Sequence, residues 1–217
     1  MARFNVSQEE IKMADEYRRL DGLKVAILVT DGFEQVELTS PKAALEEAGA
    51  TTKILAPHSG VVQGVNHDVK ADEFRVDMVL GQADPDDFDA VLLPGGALNA
   101  DALRVVPEAQ KFIRAIDAKN KPVAVICHGP WLLVSAGLVQ GKTMTSYHTI
   151  RDDIRNAGAN WVDNELVRDE NWVSSRSPKD LPAFNKGMIG LFSEFRKGGF
   201  GAATRARPSA ERPEYVS

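Results

Sequence analysis

The chain carries one cysteine, Cys127, and it is followed directly by His128, Gly129 and Pro130. A thiol beside an imidazole can supply a nucleophile and a proton acceptor. The apolar run Val123–Ile126 comes immediately before, and proline suits the first turn of a helix. We therefore predict that Cys127 lies on a sharp strand-to-helix turn, the geometry of a nucleophile elbow. The helix N-terminus should lower the thiol pKa below its free value of about 8.5. The alternative is a buried structural cysteine.

Paired glycines follow a second apolar run, in the sequence Pro94-Gly95-Gly96. Glycines leave backbone N–H groups accessible and tolerate positive φ, so Gly95 and Gly96 are candidates for an oxyanion-binding turn. The backbone N–H of His128 is a further candidate donor. Gly129 is a third candidate for oxyanion or substrate binding, and we also expect it to relieve crowding on the turn beyond Cys127. Taken alone, a glycine pair is equally compatible with a turn that has no other role.

A carboxyl group follows the first apolar run, at Glu34 in Asp31-Gly32-Phe33-Glu34. Taken alone, Glu34 is explained by a solvated position at a helix start, where the helix dipole favours a negative charge. In open α/β sheets, however, ligands bind beyond the carboxyl ends of the strands. A carboxyl, a glycine pair and a Cys-His pair at three such ends predict one shared site.

The elements that position these groups alternate between buried strands and helices. Predicted strands include Lys24–Thr30, Thr52–Leu55, Ala90–Leu93, Val123–Ile126 and Thr143–Ser146, with a hairpin within Gly60–Arg75. Predicted helices include Pro41–Ala48, Pro107–Ala118, Pro130–Ala136, Ile150–Ala157 and Asp180–Phe195. This order predicts an α/β fold: a single-domain three-layer α/β/α sandwich with a mostly parallel, flavodoxin-like sheet.

Two terminal segments differ from this central pattern. Residues 1–22 form a predicted N-terminal extension with a short helix, Gln8–Leu20, opened by a capping box. Residues 23–197 form the predicted domain. Residues 198–217 are rich in Gly, Arg and Pro, which predicts a flexible tail.

Composition limits the classes of partner. The formal net charge is −5 and Lys and Arg form no stripe, which argues against nucleic acid as the main partner. No apolar run reaches the roughly 18 residues of a membrane span. A single cysteine excludes an intramolecular disulfide, and His58, His67 and His148 lack metal-ligand spacing. We expect a cytoplasmic protein without a metal or cofactor, in which His148 is a candidate to line the site because it follows a predicted strand.

The combined motifs resemble the PfpI intracellular protease group of the ThiJ/PfpI superfamily, which has a class I glutamine-amidotransferase-like fold. The resemblance covers roughly Lys24 to Phe195. Its main motifs are Phe33-Glu34-Gln35-Val36-Glu37-Leu38, Val91-Leu92-Leu93-Pro94-Gly95-Gly96, Ile126-Cys127-His128-Gly129-Pro130 and Trp172-Val173-Ser174-Ser175-Arg176.

This resemblance implies roles for individual residues. Cys127 would be the nucleophile, Glu34 would hydrogen-bond the sulfur in its protonated form, and His128 would assist proton transfer. A further acidic residue from a neighbouring subunit would orient the histidine, and it aligns near Asp101. The family implies assembly as a homo-oligomer, a dimer or a hexamer.

Two functions from different classes remain open. The first is a stress-related cysteine hydrolase that acts on peptides or other amides, or on glyoxal and methylglyoxal adducts of proteins as a deglycase. The second is a non-enzymatic redox-sensing or chaperone-like stress protein, since an accessible thiolate at Cys127 would be readily oxidised.

Overall fold

The computed structural model describes residues 19–198. Most of the predicted helix Gln8–Leu20 and nearly all of the predicted tail lie outside these residues. In the described part, no helix has the length and apolar character that crossing a membrane requires.

Within residues 19–198 the chain forms strands and α-helices in alternation. The strands are β1 (Lys24–Leu28), β2 (Phe33–Glu34), β3 (Thr51–Ala56), β4 (Val61–Asn66), β5 (Val69–Arg75), β6 (Met78–Val79), β7 (Ala90–Leu93), β8 (Val123–Ile126), β9 (Thr143–Met144), β10 (Asn160–Trp161), β11 (Val167–Asp169) and β12 (Trp172–Ser175). The helices are α1 (Gln35–Glu47), α2 (Ala97–Arg104), α3 (Pro107–Ala118), α4 (Pro130–Ser135), α5 (Arg151–Asn156) and α6 (Leu181–Arg196).

Seven strands form the central sheet in the order β11-β12-β8-β7-β1-β3-β6. All neighbours in it pair in parallel except β11 and β12, which are antiparallel. Alternate residues of β1 enter two different cores. Val25 and Ile27 pack with apolar residues of α1 and α6, whereas Ala26 and Leu28 pack with those of α3 and α4. The predicted three-layer α/β/α arrangement with a mostly parallel sheet is confirmed.

A smaller sheet, in the order β2-β4-β5, lies beside the carboxyl end of β1. Strands β4 and β5 pair antiparallel within the segment where a hairpin was predicted. Helix α1 begins at Gln35, six residues before the predicted start at Pro41, which lies inside the helix. Helix α2 was not predicted at all.

Strand β1 pairs with β3 on one side and with β7 on the other. The order of the strands along the chain therefore reverses direction at β1. Loops after β1, β7 and β8 therefore open a crevice at the carboxyl edge, the usual ligand position in such sheets. The loops after β7 and β8 contain the predicted glycines and the Cys-His pair, whereas Glu34 ends β2 and Asp101 lies on α2. The core of the fold thus fixes the backbone at this edge.

Candidate active site

Cys127 is held in a left-handed backbone conformation, with φ of +61°. Strand β8 ends one residue before it and α4 begins at Pro130. Its N–H donates to the Ser175 carbonyl at 3.1 Å, and its carbonyl accepts from the Tyr147 N–H at 2.8 Å. A non-glycine residue in this region is uncommon and persists only when its surroundings enforce it. The fold therefore fixes the direction of the thiol, which is 6% exposed.

Two backbone N–H groups reach the sulfur of Cys127, those of Gly96 and His128, and both favour its ionised form. Gly96 has φ of +87°, and a Cβ there would overlap the carbonyl oxygen of Gly32. A Cβ on Gly95 would lie 2.6 Å from the Cys127 Cβ and 2.9 Å from the His128 nitrogen. Only glycine fits at these two positions. The Gly96 N–H faces the sulfur, whereas the Gly95 N–H donates to the Glu37 carboxyl.

Gly129 has a different reason to be glycine. A Cβ at this position would lie 2.7 Å from the carbonyl oxygen of Leu93 and 3.0 Å from that of Ile126. It therefore allows the turn after β8 to pack closely against the end of β7. No contact with the Cys127 sulfur is needed for this role.

The carboxyl group beside the thiol belongs to Glu37, which corrects the prediction of Glu34. Glu37 is fully buried and its Oε2 accepts the Gly95 N–H at 2.8 Å. The Glu37 carboxyl and the Cys127 thiol are close enough that each acts on the pKa of the other. Glu34 instead accepts the His67 N–H through its Oε2 at 3.0 Å. Because α1 begins at Gln35, Glu37 lies in its first turn on the buried face.

Burial dominates the electrostatics of the thiol and its carboxyl neighbour. Burial and, to a lesser extent, the negative charge of Glu34 together raise the pKa of Glu37 to about 8. Burial also raises the pKa of Cys127, as does the charge that Glu37 carries when ionised. The expected low thiol pKa is therefore wrong for the resting site. At neutral pH Glu37 is mainly protonated and Cys127 is a thiol, so ionisation of the sulfur requires a base.

The imidazole of His128 is the basic group next to the thiol. Its Nδ1 lies 3.2 Å from the Cys127 Sγ, although adjacent residues on a turn need not touch. Its Nε2 lies 3.3 Å from the Thr149 hydroxyl. Burial and the charge of His148 lower the pKa of His128, so its imidazole is neutral and can accept a proton near pH 7.

Aromatic rings surround the His128 imidazole. The ring centroids of Tyr147 and Trp131 lie 4.8 Å and 5.5 Å from that of His128. The His148 ring lies 4.5 Å from the Tyr147 ring, at the outer side of this group. Tyr147 was not among the predicted site residues, because its position depends on how the segment after β9 returns to Cys127.

Asp101 lies on α2 and is exposed to solvent. Its predicted role depends on a neighbouring subunit, so it remains a prediction. Within residues 19–198, no group of three or more His, Cys, Asp or Glu side chains is arranged to hold a metal ion.

Comparison with known proteins shows which family the chain resembles. The DJ-1/PfpI family model matches residues 23–190. "Deglycase PfpI" of Pyrococcus furiosus is 42% identical over 169 residues, which cover 78% of this chain and 99% of that protein. "Putative cysteine protease YraA" of Bacillus subtilis is 42% identical over 168 residues, which cover 77% of this chain and 97% of that protein.

Solved structures of related proteins have a similar fold. A ThiJ/PfpI domain protein from Brachyspira murdochii superimposes with a TM-score of 0.74 at 21% identity, over 80% of this chain and 98% of that one. At that identity the likeness concerns the fold alone. The family match and the two relatives show that the sequence is also similar, over most of the domain. The chain belongs to the DJ-1/PfpI family.

Proposed function

We propose that the chain is a cysteine-dependent hydrolase of PfpI type. The observation that carries this proposal is the position of one sulfur. The Cys127 sulfur, at a constrained left-handed turn, meets two backbone N–H groups, a buried neutral carboxyl and a basic imidazole nitrogen at 3.2 Å. This combination of nucleophile, base and oxyanion donors is what acyl transfer requires.

For an amide substrate the steps follow from these contacts. His128 Nδ1 takes the thiol proton as Sγ bonds to the carbonyl carbon, and the former π electrons move to the oxygen. The N–H groups of Gly96 and His128 stabilise that oxyanion. When the C=O bond re-forms, the C–N bond breaks and His128 protonates the departing amine. Water, deprotonated by His128, then cleaves the thioester and the thiol recovers its proton.

We propose carbonyl adducts of proteins as the preferred substrate class, because one of the relatives is named a deglycase. In the hemiaminal that methylglyoxal forms with an amine, the hydroxyl would lose its proton as the C–N bond breaks and His128 protonates the amine. Sγ would then add to the aldehyde carbon so released, a proton shift between the two carbons would give a thioester, and water would cleave that thioester to a hydroxy acid. Peptides and other amides are the second class, in keeping with the protease name of the other relative. The proposal places the protein in the cytoplasm, where a lone reactive thiol stays reduced.

The test is turnover of both substrate classes by the full chain. Methylglyoxal-modified N-acetyl-lysine and fluorogenic peptide amides are incubated with wild-type protein and with Cys127→Ser, and amine release is measured. We expect at least a roughly 10³-fold loss of kcat/KM in the variant. Equal rates, with matching thermal unfolding, would exclude a hydrolase. Oxygen addition to Cys127 at low peroxide without turnover would instead support the redox-sensing alternative.

We also propose that a neighbouring copy completes the site through Asp101. Two apolar side chains on the same helix, Leu98 and Val105, are each 72% exposed. They are seven residues apart and so share one face of α2. Asp101 lies between them in sequence, which places a carboxyl within a surface suited to a second copy. Loss of the oligomer in Leu98→Lys, seen by light scattering, together with a lower kcat would support this.

A further inference from the structure

Two carboxyl groups occupy the start of α1, and they face different surroundings. Glu34 is the N-cap residue and Glu37 lies three positions later, so their side chains are neighbours on one side of the helix. Glu37 contacts the thiol of Cys127, whereas Glu34 contacts the tip of the β4–β5 hairpin at His67. Pairs of titratable groups whose environments differ divide acid and base roles between them.

The surroundings of Glu34 stabilise a negative charge. Its Oε2 accepts the His67 N–H at 3.0 Å, and the His67 Nδ1 lies 3.8 Å from the same oxygen. A backbone N–H donor favours the ionised form of a carboxyl, and a nearby imidazolium would favour it further. His67 is at φ of +60° in the hairpin turn, which directs its N–H to this oxygen. The contacts of Glu34 therefore suit a carboxylate.

The surroundings of Glu37 stabilise a neutral group. It receives one backbone hydrogen bond, from Gly95, and its Oε1 is buried without a hydrogen-bond partner. An unpaired oxygen is less costly on a neutral acid than on a carboxylate. The charged and titratable groups acting on Glu37 within residues 19–198 are Glu34 and Cys127. Helix α6, which packs against α1, contributes apolar residues to this core, including Phe184 and Leu191.

We propose that Glu34 is a positioning residue, whose negative charge keeps the proton on Glu37 so that the neighbouring sulfur of Cys127 can carry the negative charge during reaction. The inference deepens the proposed function, because it assigns a role in activating the same thiol. Glu34 acts through Glu37 and needs no contact with the sulfur.

Whether Cys127 reacts faster or more slowly after removal of the Glu34 charge distinguishes a role through Glu37 from a direct effect on the sulfur. A negative charge that acted on the sulfur directly would suppress the thiolate, so its removal would speed reactions of Cys127. If Glu34 acts through Glu37, its removal lets Glu37 ionise near neutral pH. The new charge lies beside the sulfur and opposes the thiolate more strongly than the more distant Glu34 did. Removal of the Glu34 charge should then slow the same reactions.

The test is the pH dependence of iodoacetamide labelling, which reports on Cys127 alone because the chain has one cysteine. The variant Glu34→Gln keeps an oxygen that can accept the His67 N–H but removes the charge. At pH 8.5, just above the Glu37 pKa of about 8, lowering that pKa by about 0.5 to 1 reduces the neutral fraction of Glu37 by about threefold to eightfold, and we expect labelling to slow by that factor. Glu34→Asp should stay within about twofold of wild type.

The matched control is Glu73→Gln, the same change of charge on exposed strand β5 of the same hairpin. Its labelling profile should equal that of wild type. Equal or faster labelling of Glu34→Gln would overturn the inference, as would equal slowing in the control. Labelling does not depend on turnover, so a chain that hydrolyses nothing can still show the slowing. The inference and the proposed function therefore fail separately.

Discussion

Two buried ionisable side chains, Lys142 and Glu37, differ in whether they have partners of opposite charge. Lys142 is almost fully buried, yet its Nζ lies 2.7 Å from the Glu170 carboxylate and 3.6 Å from that of Asp169, and it also packs over the Trp172 ring. Glu37 is equally buried, and in the part of the chain that the structure describes its neighbours are a backbone N–H and a thiol, with no cation beside it. A buried charge with partners joins elements together, whereas one without partners changes its protonation state.

The largest expected effect concerns stability and tests Glu37 directly. A carboxyl whose pKa rises from 4.5 to about 8 on folding binds its proton more tightly in the folded state. Its contribution is therefore most favourable at low pH and is lost as pH rises from 4.5 towards 8. At pH 7 the raised pKa of Glu37 therefore lowers the free energy of unfolding by about 3 kcal/mol. Glu37→Gln should remove that cost.

The measurement is urea unfolding of wild type and Glu37→Gln between pH 5 and pH 8. The advantage of the variant should grow across this range and level off above about pH 8. A constant difference between the two proteins would mean that Glu37 titrates normally despite its burial. Glu46→Gln, a change on the outer part of the same helix, serves as the control.

The next effect concerns the space around the thiol. In Gly95→Ala the new methyl would lie 2.5 Å from the Glu37 Oε2 and 2.6 Å from the Cys127 Cβ, so one of the reacting groups must move. We expect kcat/KM to fall by about 10²-fold, since small displacements of reacting groups have effects of that size. Steady-state kinetics on the preferred substrate measures it.

Gly190→Ala is the matched control for this crowding. Gly190 lies inside α6 and a Cβ there meets nothing within 4 Å. This variant should retain full activity and gain about 0.5–1 kcal/mol of stability from the better helix former. A similar loss of activity in both variants would show that the effect does not arise from the site.

The smallest expected effect concerns Lys142, the buried side chain that has charged partners. Lys142→Met keeps much of the side-chain length but removes the charge that Asp169 and Glu170 share. Both acids retain access to water, so we expect a loss of about 1–2 kcal/mol, less than for a fully buried pair. The value of kcat/KM should stay within twofold. A loss of activity without a loss of stability would contradict the structural role.

The sequence specifies the sheet more closely than it specifies the site. Strands β7 and β8 match their predicted bounds because each is a run of four apolar residues that the sheet buries on both faces. Helix α2 was missed although its segment, ALNADALR, is rich in helix formers, because it has only eight residues and follows Gly96, which provides no side-chain cap to mark its start. Local patterns thus determine buried strands but not a helix that starts at a functional turn.

The choice between Glu34 and Glu37 shows the same limit. Both lie in one motif, and only the start of α1 determines which of them faces the sheet. The signal that would have found Glu37 is its spacing from Leu38, Pro41 and Leu45, which together form the buried face of α1. The prediction began the helix at the proline, so this spacing was not considered.

Helix α2 links the reacting centre to the outside of the molecule. It is eight residues long, about 12 Å, and starts next to the amide of Gly96. Its far end carries Val105, whose side chain stands in solvent. A rigid element of this length transmits a tilt at one end as a displacement at the other. A partner bound to the exposed face of α2 would therefore displace the Gly96 N–H, the proposed oxyanion donor, without entering the crevice.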